Sequence, residues 1–136
     1  MPNTKSKSKK TLIEKLGIKE GFQIAILNPP QNYSGTLGQL PKRVFAKETL
    51  DGSLDFIHFF AKDRELLKII FPALKKGLCK RGMLWISWPK KSSNIETNLN
   101  EDVVRKIGLA NDLVDVKVCS IDKDWSGLKF VYKLID

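Results

Sequence analysis

Residues that bind metals or form covalent cross-links are scarce in this chain: 136 positions hold one histidine and two cysteines. Cys79 and Cys119 stand 40 positions apart. That pattern argues against a disulfide framework and a dedicated zinc site, and it fits a reducing cytosol. No apolar run approaches the roughly 18 residues of a membrane span. The first ten residues are polar and basic with no apolar stretch behind them, so no secretory signal is expected. The glycine pattern of a nucleoside-triphosphate loop is missing too. There is no internal repeat and no sign of a second domain.

What is present suits one globular domain. Hydrophobic residues make up 42% and charged residues 29%, and a chain of this length buries roughly two-thirds of its unfolded surface. The formal net charge is +9. Lys5, Lys7, Lys9 and Lys10 lie in an N-terminal stretch without an acid, and removing them leaves 20 basic and 15 acidic residues, a body of +5. Residues 1–10 are expected to form a disordered basic tail and residues 11–136 a single domain. The tail has two uses open to it: solubility, or weak and non-specific attraction to nucleic acid.

Taken in order, Thr11-Leu12-Ile13-Glu14 reads as a capping box opening a short helix that Gly17 stops. Residues 22–27 form the first strand. Asn28-Pro29-Pro30-Gln31 follows, with Asn28 as a helix cap and Pro29 in the first helical position. A short strand is expected over 43–46. Asp51-Gly52-Ser53 is a turn, and 54–60 is an apolar strand with Asp55 and His58 as its polar members. Asp63 caps a helix whose Leu66, Leu67, Ile70, Leu74 and Leu78 recur at helical spacing, with Pro72 imposing a kink or a split. A near-continuously apolar strand over 83–88 comes next, as expected of a strand covered on both faces. Asn100 caps a helix over 101–110, residues 113–119 alternate as a strand, 122–127 form a loop, and 128–134 return as a hairpin partner. Strand, helix and strand at this spacing define a right-handed βαβ unit. The fold class is therefore a three-layer, Rossmann-like α/β domain with a mostly parallel sheet and an antiparallel C-terminal hairpin.

The segment from Trp85 through Pro89 to Lys90-Lys91-Ser92-Ser93 is the place to look for a site. Open parallel sheets bind ligands beyond the carboxyl ends of their strands, and two ammonium groups beside two hydroxyls suit a phosphate or carboxylate. The expected rim consists of Asn28, His58, Trp88, Lys90, Lys91, Ser92 and Trp125. Each member also has a plain structural use: a solvated lysine loop, a hydrogen-bonded structural histidine, tryptophans used in simple packing. Trp85 and Trp88 have opposite parity, so only one can line a given face. Asp55 should point away from His58 for the same reason. Cys79 and Cys119 have no positioned base and read as inert.

The run Asp51-Gly52-Ser53-Leu54-Asp55-Phe56-Ile57-His58, the following helix and Leu78 to Ser87 resemble the back half of class I S-adenosylmethionine-dependent methyltransferases. There an acidic turn, an apolar strand, a helix, a Gly-Xaa-Leu strand and a final hairpin follow one another. The whole chain also resembles an uncharacterised bacterial family, domain of unknown function 3052. Glu14 to Ile18, Leu84 to Ser93, Glu101 to Arg105 and Leu113 to Val118 carry that likeness. The family has no assigned activity, so the resemblance implies a fold and no mechanism. The departure from methyltransferases lies where their cofactor binds. Their first strand turns through glycines that let the backbone approach the cofactor and offer N–H groups. This chain has Asn28-Pro29-Pro30-Gln31 there. Methyltransferases also commonly hold the ribose with an acid after the second strand, for which Glu48, beside Lys47, is the sole candidate. Asn28-Pro29-Pro30 matches part of the Asn-Pro-Pro-aromatic motif of amino-group methyltransferases, but it follows the first strand and Gln31 replaces the aromatic. The expectation is a non-catalytic, cytoplasmic module without a cofactor that binds an anionic small molecule or a partner protein. The alternatives are a reduced methyltransferase and nucleic-acid binding through the tail.

Overall fold

The computed structural model describes residues 10–133. Residues 1–9, and with them nearly all of the expected tail, lie outside the described residues, as do 134–136. Six strands form one sheet in the order β2-β1-β3-β4-β6-β5: β1 (Gln23–Leu27), β2 (Phe45–Ala46), β3 (Leu54–Phe60), β4 (Leu78–Pro89), β5 (Leu113–Ser120) and β6 (Trp125–Tyr132). The pairs β1–β2, β1–β3 and β3–β4 are parallel, while β4–β6 and β5–β6 are antiparallel. This is the expected Rossmann-like sheet with its antiparallel hairpin.

Strand alternation builds the two faces. Ile57 and Phe59 of β3 with Leu84, Ile86 and Trp88 of β4 point one way, into a core closed by α3 (Arg64–Gly77) and α4 (Glu101–Ala110). Phe56 and Phe60 with Trp85 point the other way, against α1 (Leu12–Leu16), Ile18 and α2 (Tyr33–Leu37). The two helical layers explain why β3 and β4 are apolar on both faces. Each tryptophan of β4 thus serves a different core. Trp85, fully buried, also donates its Nε1–H to the Leu16 carbonyl at 2.9 Å, tying the end of α1 to the sheet.

The helix ends form as their residues dictate. Thr11 accepts from the Glu14 N–H at 3.1 Å while Glu14 accepts from the Thr11 N–H at 2.9 Å, and Gly17 closes α1 in the left-handed region at φ 88°. Asp63 caps α3 through the Leu66 N–H, and Asn100 caps α4 through the Val103 N–H. At Gly108 a methyl group would overlap the Phe130 ring, so α4 lies against β6 at a distance only glycine permits.

Several boundaries differ from the sequence reading. Pro72 does not split its helix; α3 is continuous, held by the buried stripe Leu67, Phe71 and Leu74. Leu66, expected to face the sheet, is 58% exposed, because the inward stripe runs through Leu67, Phe71 and Leu74 and Leu66 lies one residue, about 100° around the helix, off it. β4 starts at Leu78, directly after α3, rather than at 83. Asn28 caps no helix: it sits at φ 56°, and α2 begins only at Tyr33. β6 begins at Trp125, which places that tryptophan at the start of a strand instead of in a loop.

Candidate functional site

The chain leaves β1 toward β2 on one side and returns as β3 on the other, so strand order reverses at the β1/β3 boundary. Loops diverge at such a point and leave a crevice at the carboxyl ends. Here the crevice is a cleft of about 400 Å³. One wall is Asn28, Pro29 and Pro30; the floor is Phe59, Phe60 and Ala61; Lys62, Asp63 and Leu66 follow at the start of α3; Ile95 and Trp125 close it.

Each wall has a local cause. Asparagine tolerates the left-handed region better than most residues, which lets Asn28 turn the chain sharply at φ 56°. The two prolines then fix their own φ, and the Pro30 carbonyl accepts from the Tyr33 N–H at 3.0 Å. Trp125 is held by Asp122, whose Oδ1 accepts from the N–H groups of Asp124 at 2.8 Å and Trp125 at 2.9 Å. The indole meets the Phe60 ring edge to face, with centroids 5.2 Å apart.

Phe60 in turn stacks on His58 at 4.1 Å between centroids. His58 does not reach the expected rim. It is fully buried, with Nδ1 2.8 Å from the Tyr33 hydroxyl and Nε2 2.7 Å from Ser87 Oγ. Burial pushes its pKa down from 6.5 to about 3 and pushes the Tyr33 phenol well above its usual range. A neutral imidazole donates at one nitrogen and accepts at the other, and the two hydroxyls can complement either tautomer. The histidine therefore braces the cleft floor from beneath. Asp55, as parity required, is elsewhere and accepts from the Gln23 N–H at 2.7 Å.

Trp88 also misses the rim: it borders neither cleft and belongs to the core under α3 and α4. Lys90 lies along the C-terminal hairpin, its N–H donating to the Asp124 carbonyl at 2.8 Å and its Nζ to Ser120 Oγ at 2.7 Å. With Lys91 it lines a second cleft of about 430 Å³, whose other walls are Pro89 and the segment 95–100. Ser92 is exposed. Ile95 borders both clefts, so the double-proline bend and the lysine corner open at the same end of the sheet, side by side rather than into one pocket. The partition is strapped down: Thr97 Oγ1 donates to the Lys62 carbonyl at 2.6 Å, and Asn98 Oδ1 accepts from the Arg64 N–H at 2.7 Å.

Of the expected rim, then, Asn28 and Trp125 line the first cleft and Lys90 and Lys91 the second. Sequence reasoning missed Phe60, Ala61, Lys62 and Ile95. The first three sit at the carboxyl end of β3, where the strand-end rule could have flagged them; Ile95, in an irregular segment, carried no signal. Among the described residues no cluster of three metal-binding side chains occurs, and both cysteines are free. No described helix is long and apolar enough to cross a membrane.

The architecture is that of the class I methyltransferase fold. A putative type 11 methyltransferase from Sulfolobus solfataricus superposes with a TM-score of 0.64 at 15% identity, covering 92% of this chain and 91% of that one. A SAM-dependent methyltransferase from Aquifex aeolicus gives 0.61 at 17% identity over 88% and 86%. A TehB-like SAM-dependent methyltransferase from Corynebacterium glutamicum gives 0.58 at 11% identity over 90% and 85%. No family model and no curated protein matches the chain, so the likeness to the domain of unknown function 3052 family has no such support. Similarity at these identities establishes the fold.

S-adenosylmethionine is the group this fold implies, and the residues present do not suit it. The end of β1 offers proline rings where close backbone approach and N–H donors are needed: in Asn28-Pro29-Pro30 only Asn28 has an N–H, and both prolines line the cleft. Glu48, after β2, is exposed and does not border the cleft.

Proposed function

We propose that the chain is a non-catalytic binding module built on the methyltransferase fold, and that its ligand is a small molecule with a planar or apolar body and an anionic group. The body lies in the switch-point cleft against Trp125, Phe60 and the two prolines. The anion faces Lys62, with Lys91 across the Ile95 partition. The observation that carries this reading is the composition of that cleft: aromatic and proline walls at the position where a dinucleotide-like cofactor needs bare backbone.

The test has two arms on the full chain. Small molecules released by denaturation are identified by mass spectrometry, and the compound recovered is titrated back calorimetrically. The expected compound carries a negative charge and binds about tenfold more weakly to Lys62→Ala. Calorimetric titration with S-adenosylmethionine should give no saturable heat up to about 1 mM, the range of a binding free energy near −4 kcal/mol. Saturable binding of S-adenosylmethionine would overturn the reading and favour a reduced methyltransferase. That second reading draws its support from the names of the structural neighbours.

A further inference from the structure

Lysines gather on the sheet face beside α1, away from both clefts. Lys117 of β5 and Lys129 of β6 stand directly opposite each other in the antiparallel register. Opposed side chains are roughly 5 Å apart at Cβ, so this pair is repulsive. Lys117 Nζ donates to the Lys15 carbonyl at 3.1 Å, which brings it to the end of α1. Lys15 and Lys117 both act on Cys119, and Lys19 and Lys117 both act on Lys129. Burial, then these neighbours, pushes the half-buried Lys129 ammonium below its usual pKa.

The nearest acids in sequence are engaged elsewhere. Glu14 closes the capping box, and Glu20 pairs with Arg43 at 2.6 Å. Among the described residues none of the four lysines pairs with a carboxylate. A lysine on an edge strand guards against strand addition, which accounts for Lys117 on β5. It does not account for Lys129, because β6 is flanked on both sides. The exposed aliphatics of β5 are Val118, paired with Leu128 on the opposite face, and Val116 at the bulge before Lys117, short of the broad apolar face that a membrane surface takes. Lys10 precedes α1, whose five residues span about 7.5 Å at 1.5 Å each. That is within a Debye length of about 8 Å at physiological salt, so Lys10 adds to the same field.

We propose that Lys15, Lys19, Lys117 and Lys129, with Lys10 ahead of α1, form a surface for the phosphodiester backbone of nucleic acid. Binding is by charge and without sequence preference. The test is fluorescence anisotropy of the full chain with a labelled DNA duplex of about 20 base pairs, across a salt series. Four phosphate contacts give a log–log slope of about −3.6, or roughly a hundredfold loss of affinity between 50 and 200 mM salt. Lys117→Gln with Lys129→Gln should flatten the slope by about 2. Lys117→Glu should move two readouts in opposite directions: the thermal midpoint rises, because a carboxylate now faces Lys129, and affinity falls at least about tenfold. If both variants bind within about twofold of the parent, the surface is overturned. It is equally overturned if deleting residues 1–9 removes all binding while Lys117→Glu is silent, or if phosphatidylserine vesicles are bound and the duplex is not.

Discussion

Buried neutral, His58 makes stability depend on pH between about 7 and 4.5, above the main titration of the carboxylates. Its pKa is about 3 in the folded chain against 6.5 unfolded, with desolvation as the cause. Between those values the unfolded chain binds a proton that the folded chain does not, so stability is full above pH 6.5 and falls as the pH drops toward 3. The slope is about 1.4 kcal/mol per pH unit, giving a loss of about 2.5 kcal/mol between pH 7 and pH 4.5. The chain has one histidine. Carboxylates titrate near pH 4 when unfolded, and those perturbed here, Asp51 at about 2 and Asp115, are lowered, so their contributions are lost mainly below about pH 4, under the range from pH 7 to 4.5. The assay is urea unfolding at half-unit steps from pH 7 to 4.5, with His58→Gln alongside. Glutamine can donate and accept but does not titrate there, so its profile should be flat. A parent profile that is also flat, or a variant that keeps the slope, would refute a neutral histidine buried between Tyr33 and Ser87.

Three further outcomes follow from the same geometry. Gly108→Ala should lower stability by about 2–3 kcal/mol in urea unfolding, since the new methyl overlaps the Phe130 ring and α4 must shift. Asn28→Val should cost about 1–2 kcal/mol and Asn28→Gly should be neutral or mildly stabilising, because only the β-branched residue resists φ 56°; equal effects would mean the turn relaxes on substitution. Lys90→Ala with Lys91→Ala should leave thermal stability within about 0.5 kcal/mol, as both side chains reach solvent and only Lys90 makes a side-chain bond, to Ser120. The same double variant in the ligand titration separates the second cleft from the first, since only Lys62 borders the switch-point cleft.

Local chemistry determined much of this protein in advance. The capping box of Thr11 and Glu14, the caps Asp63 and Asn100, the doubly apolar strands and the opposite parity of Trp85 and Trp88 were legible because each depends on residues a few positions apart. The lysine corner and the double-proline bend could be placed at one end of the sheet, because a βαβ crossover forces parallel strands to share their carboxyl ends. Tertiary structure alone decided what stands between them. Ile95 divides the two clefts because the 95–100 segment is strapped to Lys62 and Arg64 more than 30 positions away. His58 looked like a rim residue, yet it became a brace because Tyr33 and Ser87, from α2 and β4, meet it in the core. Lys117 and Lys129 became a pair only through the register of the hairpin. Spacing in sequence fixes which face a side chain takes, but which distant side chains share that face is set by the packing of layers the sequence does not order by itself.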